Sequence, residues 1–306
     1  MLEGLAAIYR DFTGFISGVG IKYYSIAITI YILSTFAWAF RWWFILKRLG
    51  SRSSFKDVYV AIMGGILVNN ISPSLKMGGE GFRAAWLWIK HKIPFDRSIL
   101  TILYERLTEA PGVALVVGIV IAGGVLGNFR TSLTWSLGFG LIGLGFFDTT
   151  RGFIDDMKKR LKVDSKLLVK DRVLTISAST ISVLIWLQDI FRFYFIGLAV
   201  GIHLALPEAA LLSVGYLIFG MAPTPAGLGF VEGGLTSILV GLGYPIDKAG
   251  LLVLGERLIS SVTASVLGLV LVSISGGIHA FKLAMKIARK AEESGEDGDS
   301  ESNISI

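Results

Sequence analysis

Ten ionisable side chains sit in or beside strongly apolar stretches of this 306-residue chain: Glu80, Arg83, Glu105, Arg106, Glu109, Asp189, Arg192, Glu232, Glu256 and Arg257. A charge at membrane depth costs about 2.5–3.5 kcal/mol even on the lenient insertion scale, so such groups face a cavity, a partner or a water path. Glu80 and Glu232 each stand where a short helix begins after a Gly-rich loop, and the free amides of a helix N-terminus favour an anion there. Each can serve a binding site or cap its own helix. Arg106 and Arg257 lie roughly 12 Å along the axes of helices starting near residues 98 and 249, at about 1.5 Å per residue. Entering from opposite faces, the two would flank one central site. A guanidinium holds a phosphate with two parallel hydrogen bonds, which suits a phospholipid or polyprenyl-phosphate head group. The competing use is a Glu–Arg ion pair that locks a hairpin to its neighbour.

Other polar residues have plainer readings. Asp189 and Arg192, at i and i+3 on one helix, form a local ion pair. Arg41, among Trp38, Trp42 and Trp43, is expected to snorkel into an aromatic belt. The glycine pattern at 138–143 has no strand before it and reads as close helix packing rather than a dinucleotide site. The chain has no Cys, which removes disulfides, thiolate zinc sites, iron–sulfur clusters and cysteine nucleophiles. His91, His203 and His279 are isolated. Neither a metal site nor another cofactor is expected, and no Ser-His-Asp arrangement supports an enzyme.

The elements that position these charges are membrane helices. The chain is 53% hydrophobic and 17% charged, with mean hydropathy +0.67. A soluble domain needs far more charge to cover its surface. Residues 23–46, 98–127, 132–147, 173–201 and 249–277 read as spanning helices. Four shorter apolar stretches, 57–72, 81–91, 209–222 and 228–243, are broken by Pro and Gly and read as the limbs of two re-entrant hairpins. No removable signal peptide is expected, since Arg10 and Asp11 interrupt the weakly apolar start.

The formal charge of +6 hides an acidic tail, 291–306, that holds six acids and no base; residues 1–290 carry +12. Basic residues cluster after the first span (Lys47, Arg48, Arg52, Lys56), through 151–172 and at Lys282 to Lys290. If both limbs of the first hairpin enter and leave on one side, all three clusters share that side. The positive-inside rule makes it the cytoplasm, so the N-terminus is placed outside and the tail inside. A plasma-membrane location, an interfacial segment at 151–172 and a disordered tail follow as expectations, with residues 1–290 forming one membrane domain. Nucleic-acid binding is not expected.

Two distant stretches match position by position. Pro73 precedes Glu80-Gly81 by seven residues, and Pro94, Asp96, Arg97 and Glu105-Arg106 follow; Pro225 precedes Glu232-Gly233 by seven, and Pro245, Asp247, Lys248 and Glu256-Arg257 follow. The separation from Pro94 to Glu105 equals that from Pro245 to Glu256. The expected fold is therefore an all-α polytopic bundle whose halves, 57–127 and 209–277, form an inverted repeat, an architecture found in secondary transporters.

Arg41-Trp42-Trp43, Asn70 with Pro73, Gly78-Gly79-Glu80 with Arg83, Glu105-Arg106, Pro223-Thr224-Pro225, Gly227-Leu228-Gly229, Glu232-Gly233 and Glu256-Arg257 together resemble the flippase-like membrane family that includes the transmembrane half of lysylphosphatidylglycerol synthases. The resemblance runs from about residue 23 to residue 277. It implies movement of a lipid or lipid-linked head group between leaflets. Members that make aminoacylated lipids carry a further soluble transferase domain, and no part of this sequence is expected to be one. Glu80, Arg83, Arg106, Glu232 and Arg257 are the expected substrate-binding residues, supported by Glu105, Glu256, Asn70, Pro73 and Pro225. The expected partner is a membrane lipid or lipid-linked substrate. A small soluble anion as substrate, or a non-catalytic role beside a lipid-synthesising enzyme, are the alternatives.

Overall fold

The computed structural model describes residues 18–72, 77–125 and 171–275. Among them the chain is all helical, with no strand. The helices are α1 (Gly18–Arg48), α2 (Phe55–Ile71), α3 (Met77–His91), α4 (Phe95–Ala122), α5 (Arg172–Ala199), α6 (Leu206–Phe219), α7 (Phe230–Gly241) and α8 (Ile246–Arg257). A π-helical turn, Leu258–Thr263, continues α8 toward Ser275.

Local chemistry sets the ends of these helices. Ser54 caps α2, its hydroxyl accepting the Asp57 N–H at 3.1 Å. Asp171 caps α5 by accepting the Leu174 N–H at 2.9 Å. Pro94 and Pro245 stand immediately before α4 and α8, where a missing N–H costs nothing. Gly229, at φ 84°, turns the chain into α7 in a conformation that L side chains avoid.

Three helices, Gly20–Arg48, Arg172–Ala199 and Ile246–Ser275, are long and apolar enough to cross a membrane. Their outward faces carry Leu33, Phe36, Phe40, Ile176, Leu184, Val266, Leu269 and Ile274, an apolar exterior suited to lipid as solvent. The expected span at 98–127 corresponds to α4, which has 28 residues but bears Glu105, Arg106 and Glu109 near its middle. The expected span at 132–147, Pro73, most of the linker at 151–172 and the tail at 291–306 lie outside the described residues.

The short helices pack as antiparallel pairs. In α2 and α3, His91 Nε2 meets Asp57 Oδ2 at 2.9 Å at one end, and at the other the Gly79 N–H donates to Asn69 Oδ1 at 2.8 Å. Between them Gly65 and Gly79 let the two backbones touch; a Cβ on Gly65 would sit 2.9 Å from the Gly79 carbonyl. In α6 and α7, Gly215 lies against Leu235 and Ile238, and Gly234 against Phe219. Helices of 17, 15, 14 and 12 residues reach at most about 26 Å at 1.5 Å per residue, short of the roughly 30 Å hydrocarbon layer.

Element order thus repeats: a long helix, a short pair and a long helix, first α1 to α4 and then α5 to α8. One apolar core, with Trp42, Phe82 and Trp86, joins α1 to α4; another, with Phe193, Leu212 and Leu252, joins α5 to α8 and reaches back to Ala27 and Tyr31 of α1.

Candidate functional site

In the first half, six charges form an alternating chain of carboxylates and guanidiniums. Arg106 donates to Glu80 Oε1 through Nε and Nη2, at 3.1 and 2.6 Å, and to Glu109 Oε2 through Nη1 at 3.3 Å. Glu109 Oε1 accepts from Arg41 at 2.7 Å, and Arg41 also donates to Glu105 Oε1 at 2.9 and 3.2 Å and to the Ser182 hydroxyl at 2.7 Å. Arg83 ends the chain, donating to Glu105 Oε2 at 2.6 Å while its guanidinium lies 4.1 Å from the centre of the Trp42 ring. Each carboxylate meets a guanidinium, which is how charge survives inside an apolar bundle.

In the second half, Arg257 donates to Glu232 Oε1 at 2.6 Å and to the Ala226 carbonyl at 2.9 Å. Arg192 contacts Glu256 at 2.9 Å and Asp189 at 3.3 Å. The pairs correspond across the halves. Glu80–Arg106 and Glu232–Arg257 each tie the second limb of a short pair to the long helix that follows. Arg41–Glu105 and Arg192–Glu256 each tie two long helices together, and both are separated by 64 residues.

Several expectations are modified by this geometry. Arg41 does not snorkel: it is 2% exposed and turned inward, because Glu105, Glu109 and Ser182 offer it full hydrogen bonding where an aromatic belt offers none. The Asp189–Arg192 pair forms, but Arg192 also reaches Glu256 on α8. Glu105 and Arg106, adjacent in sequence, take different partners. Glu232 combines both of its readings: Oε2 accepts the Gly229 N–H at 2.6 Å as a cap while Oε1 holds Arg257. Asn70 braces α2 against α8, donating to Ser261 O at 3.2 Å and Ser265 Oγ at 3.0 Å. Pro225 opens a 3₁₀ turn, Pro225–Gly227, where Ala226 adopts φ 54° and presents its carbonyl to Arg257.

A cavity of about 220 Å³ lies between the halves. Glu80, Arg83, Glu105, Arg106 and Asn70 line it; Glu232, Arg257 and Glu256 do not, and among the described residues no ion pair links Glu80 or Arg83 to Glu232. The lining also includes Arg41, Asp189, Arg192 and the aromatic groups Trp38, Trp186 and Tyr216. Arg41 and Arg192 are the two that sequence reasoning undervalued. A signal was present: Arg41-Trp42-Trp43-Phe44 and Arg192-Phe193-Tyr194-Phe195 are both an Arg followed by three aromatics, each 64 residues before a Glu-Arg pair.

Spanning helices that enclose a chain of paired charges define a polytopic helical membrane protein. The chain belongs to the family described as the lysylphosphatidylglycerol synthase TM region, whose pattern matches residues 9–268. It is also similar to UPF0104 membrane proteins. One from Methanocaldococcus jannaschii is 35% identical over 88 residues, 29% of this chain and 26% of that protein. One from Methanothermobacter thermautotrophicus is 23% identical over 303 residues, 87% and 89% of the two chains. Another, from Pyrococcus horikoshii, is 22% identical over 292 residues, 82% and 87%. No solved structure matches the chain significantly.

Proposed function

We propose that this protein moves a lipid or lipid-linked intermediate with an anionic head group between the leaflets of the plasma membrane. The observation that carries the reading is the cavity inside the bundle, lined by Glu80, Arg83 and Arg106 together with aromatic side chains. A site with paired charges and aromatic walls can exchange a carboxylate for a phosphate without leaving an arginine bare, because guanidinium binds both groups in the same fork. In the cavity Arg106 exchanges Glu80 or Glu109 for the head group, and Arg257, outside the cavity lining, exchanges Glu232 at a second station. The two short pairs are re-entrant hairpins of an inverted repeat, α1–α4 against α5–α8, with the N-terminus outside and the tail in the cytoplasm. Their limb lengths, the basic clusters of the sequence and the matched pairs support this arrangement.

The test is exchange of fluorescent phosphatidylglycerol between leaflets of reconstituted vesicles, scored by quenching from outside. Arg106→Gln and Arg257→Gln abolish exchange. The double variants Arg106→Gln/Glu80→Gln and Arg257→Gln/Glu232→Gln remove whole pairs and separate binding from locking. Doubles that are stable and still exchange lipid at the wild-type rate make the pairs locks and defeat the proposed site. A second reading, transport of a small soluble anion, is favoured by the cavity volume, which suits a head group or solute rather than acyl chains. Uptake of radiolabelled phosphate into vesicles that show no lipid exchange selects it.

A further inference from the structure

The two halves hold their matched buried carboxylates differently. Around α1 to α4, three guanidiniums (Arg41, Arg83, Arg106) meet three carboxylates (Glu80, Glu105, Glu109). Around α5 to α8, Arg257 is held by Glu232, and Arg192 lies between two carboxylates, Asp189 and Glu256. Three matched positions differ in charge: Trp38 against Asp189, Glu109 against Ser260, and Arg83 against Leu235. Arg83 follows Glu80 by three residues, whereas Glu232 is followed at that distance by Leu235, buried in the apolar core. Glu105 is therefore held through both oxygens, by Arg41 and Arg83. Glu256 is fully buried and held by Arg192 through Oε1; among the described residues Oε2 has no hydrogen-bond donor in good geometry, with Ser260 beside it.

Two carboxylates sharing one guanidinium away from water disfavour each other's ionised form, and a protonated carboxyl needs no counter-charge. We propose that Glu256 is a proton-binding site, loaded from the adjoining cavity and coupled to the transport cycle; the coupling rests on the transport reading above. A proton from cavity water adds to Oε2, the negative charge on Glu256 is cancelled, and Arg192 keeps Asp189 as an ionised partner. Release returns the proton to water. Asp189, Arg192 and Ser260 all line the cavity, which gives the proton a route. The other ionisable groups facing Glu256 are Tyr24 and Tyr31 from α1, Tyr216 from α6 and Arg257 from its own helix. Among the described residues none adds a free positive charge, since Arg257 is tied to Glu232 and Ala226. The π-helical turn begins at Leu258, two residues beyond Glu256, and such turns recur at functional sites.

Infrared titration of the full chain in phosphatidylethanolamine–phosphatidylglycerol vesicles reads the C=O stretch of protonated carboxyls. The wild type shows a titrating carboxyl band that Glu256→Gln loses and Glu105→Gln keeps. A band retained in Glu256→Gln overturns the proposal. If that single variant fails to fold, Arg192→Gln/Glu256→Gln removes both charges and carries the same expectation. In a second arm, an imposed pH gradient changes the rate of fluorescent phosphatidylglycerol exchange by the wild type and not by Glu256→Gln; a response surviving in the variant overturns the coupling. Wild-type vesicles with no lipid exchange at all sink the lipid reading instead, and the infrared arm still decides whether Glu256 binds a proton.

Discussion

A guanidinium that is 2% exposed and meets two carboxylates and a hydroxyl is stable only while all of them remain. Arg41→Met leaves Glu105 with Arg83 and Glu109 with a 3.3 Å contact to Arg106. Removing one member of a buried ion network costs about 3–5 kcal/mol, so the variant is expected to melt far below the wild type in detergent. Arg48, whose contact to Asp171 is 3.5 Å and largely open to water, sets the contrast. Arg48→Ala shifts stability by about 0–1 kcal/mol, and equal melting losses for the two variants would contradict the assignment of Arg41 to the interior. Residue type alone does not separate these arginines. Both sit near the end of α1 among aromatic side chains, and only the direction of each side chain differs.

At the scale of elements, the short pairs depend on glycines where backbones meet. A Cβ on Gly79 would run into the Gly65 carbonyl and the Asn69 side chain that accepts the Gly79 N–H. Gly79→Ala must therefore part α2 from α3, at a cost of about 1–3 kcal/mol for overpacking. Gly118, on α4, has no atom within 4 Å of its would-be Cβ. Gly118→Ala gains helix propensity, about 1 kcal/mol or less. Thermal unfolding of the two variants is expected to move in opposite directions, and a shared direction would show that α2 and α3 do not need their close approach. The limb lengths of these pairs could be read from Pro and Gly punctuation. Their close contact could not, because it depends on which face of each helix turns toward the other.

For the whole molecule, the basic clusters make a claim about sides. Cysteines introduced at Ser165 and Ser300 of this cysteine-free chain are expected to resist an impermeant thiol reagent in intact cells and to react once the membrane is opened. Labelling of both in intact cells would put those segments outside and reverse the topology.

Class was written in composition. A chain so apolar and so sparsely charged has only the bilayer as a solvent, and the few charges left in its apolar runs had to find partners because unpaired charge in hydrocarbon is expensive. The need for a partner is a local property, so Glu80, Glu105, Arg106, Glu232, Glu256 and Arg257 could be singled out one by one. The identity of each partner is not local. Glu105 turns to Arg41 and Arg83 rather than to its neighbour Arg106, and Glu256 to Arg192 rather than to Arg257, because successive residues on a helix point about 100° apart and face different neighbours. Only the packing of α1 on α4 and of α5 on α8 brings together groups 64 residues apart, and only that packing decides that Glu105 meets two arginines and Glu256 one.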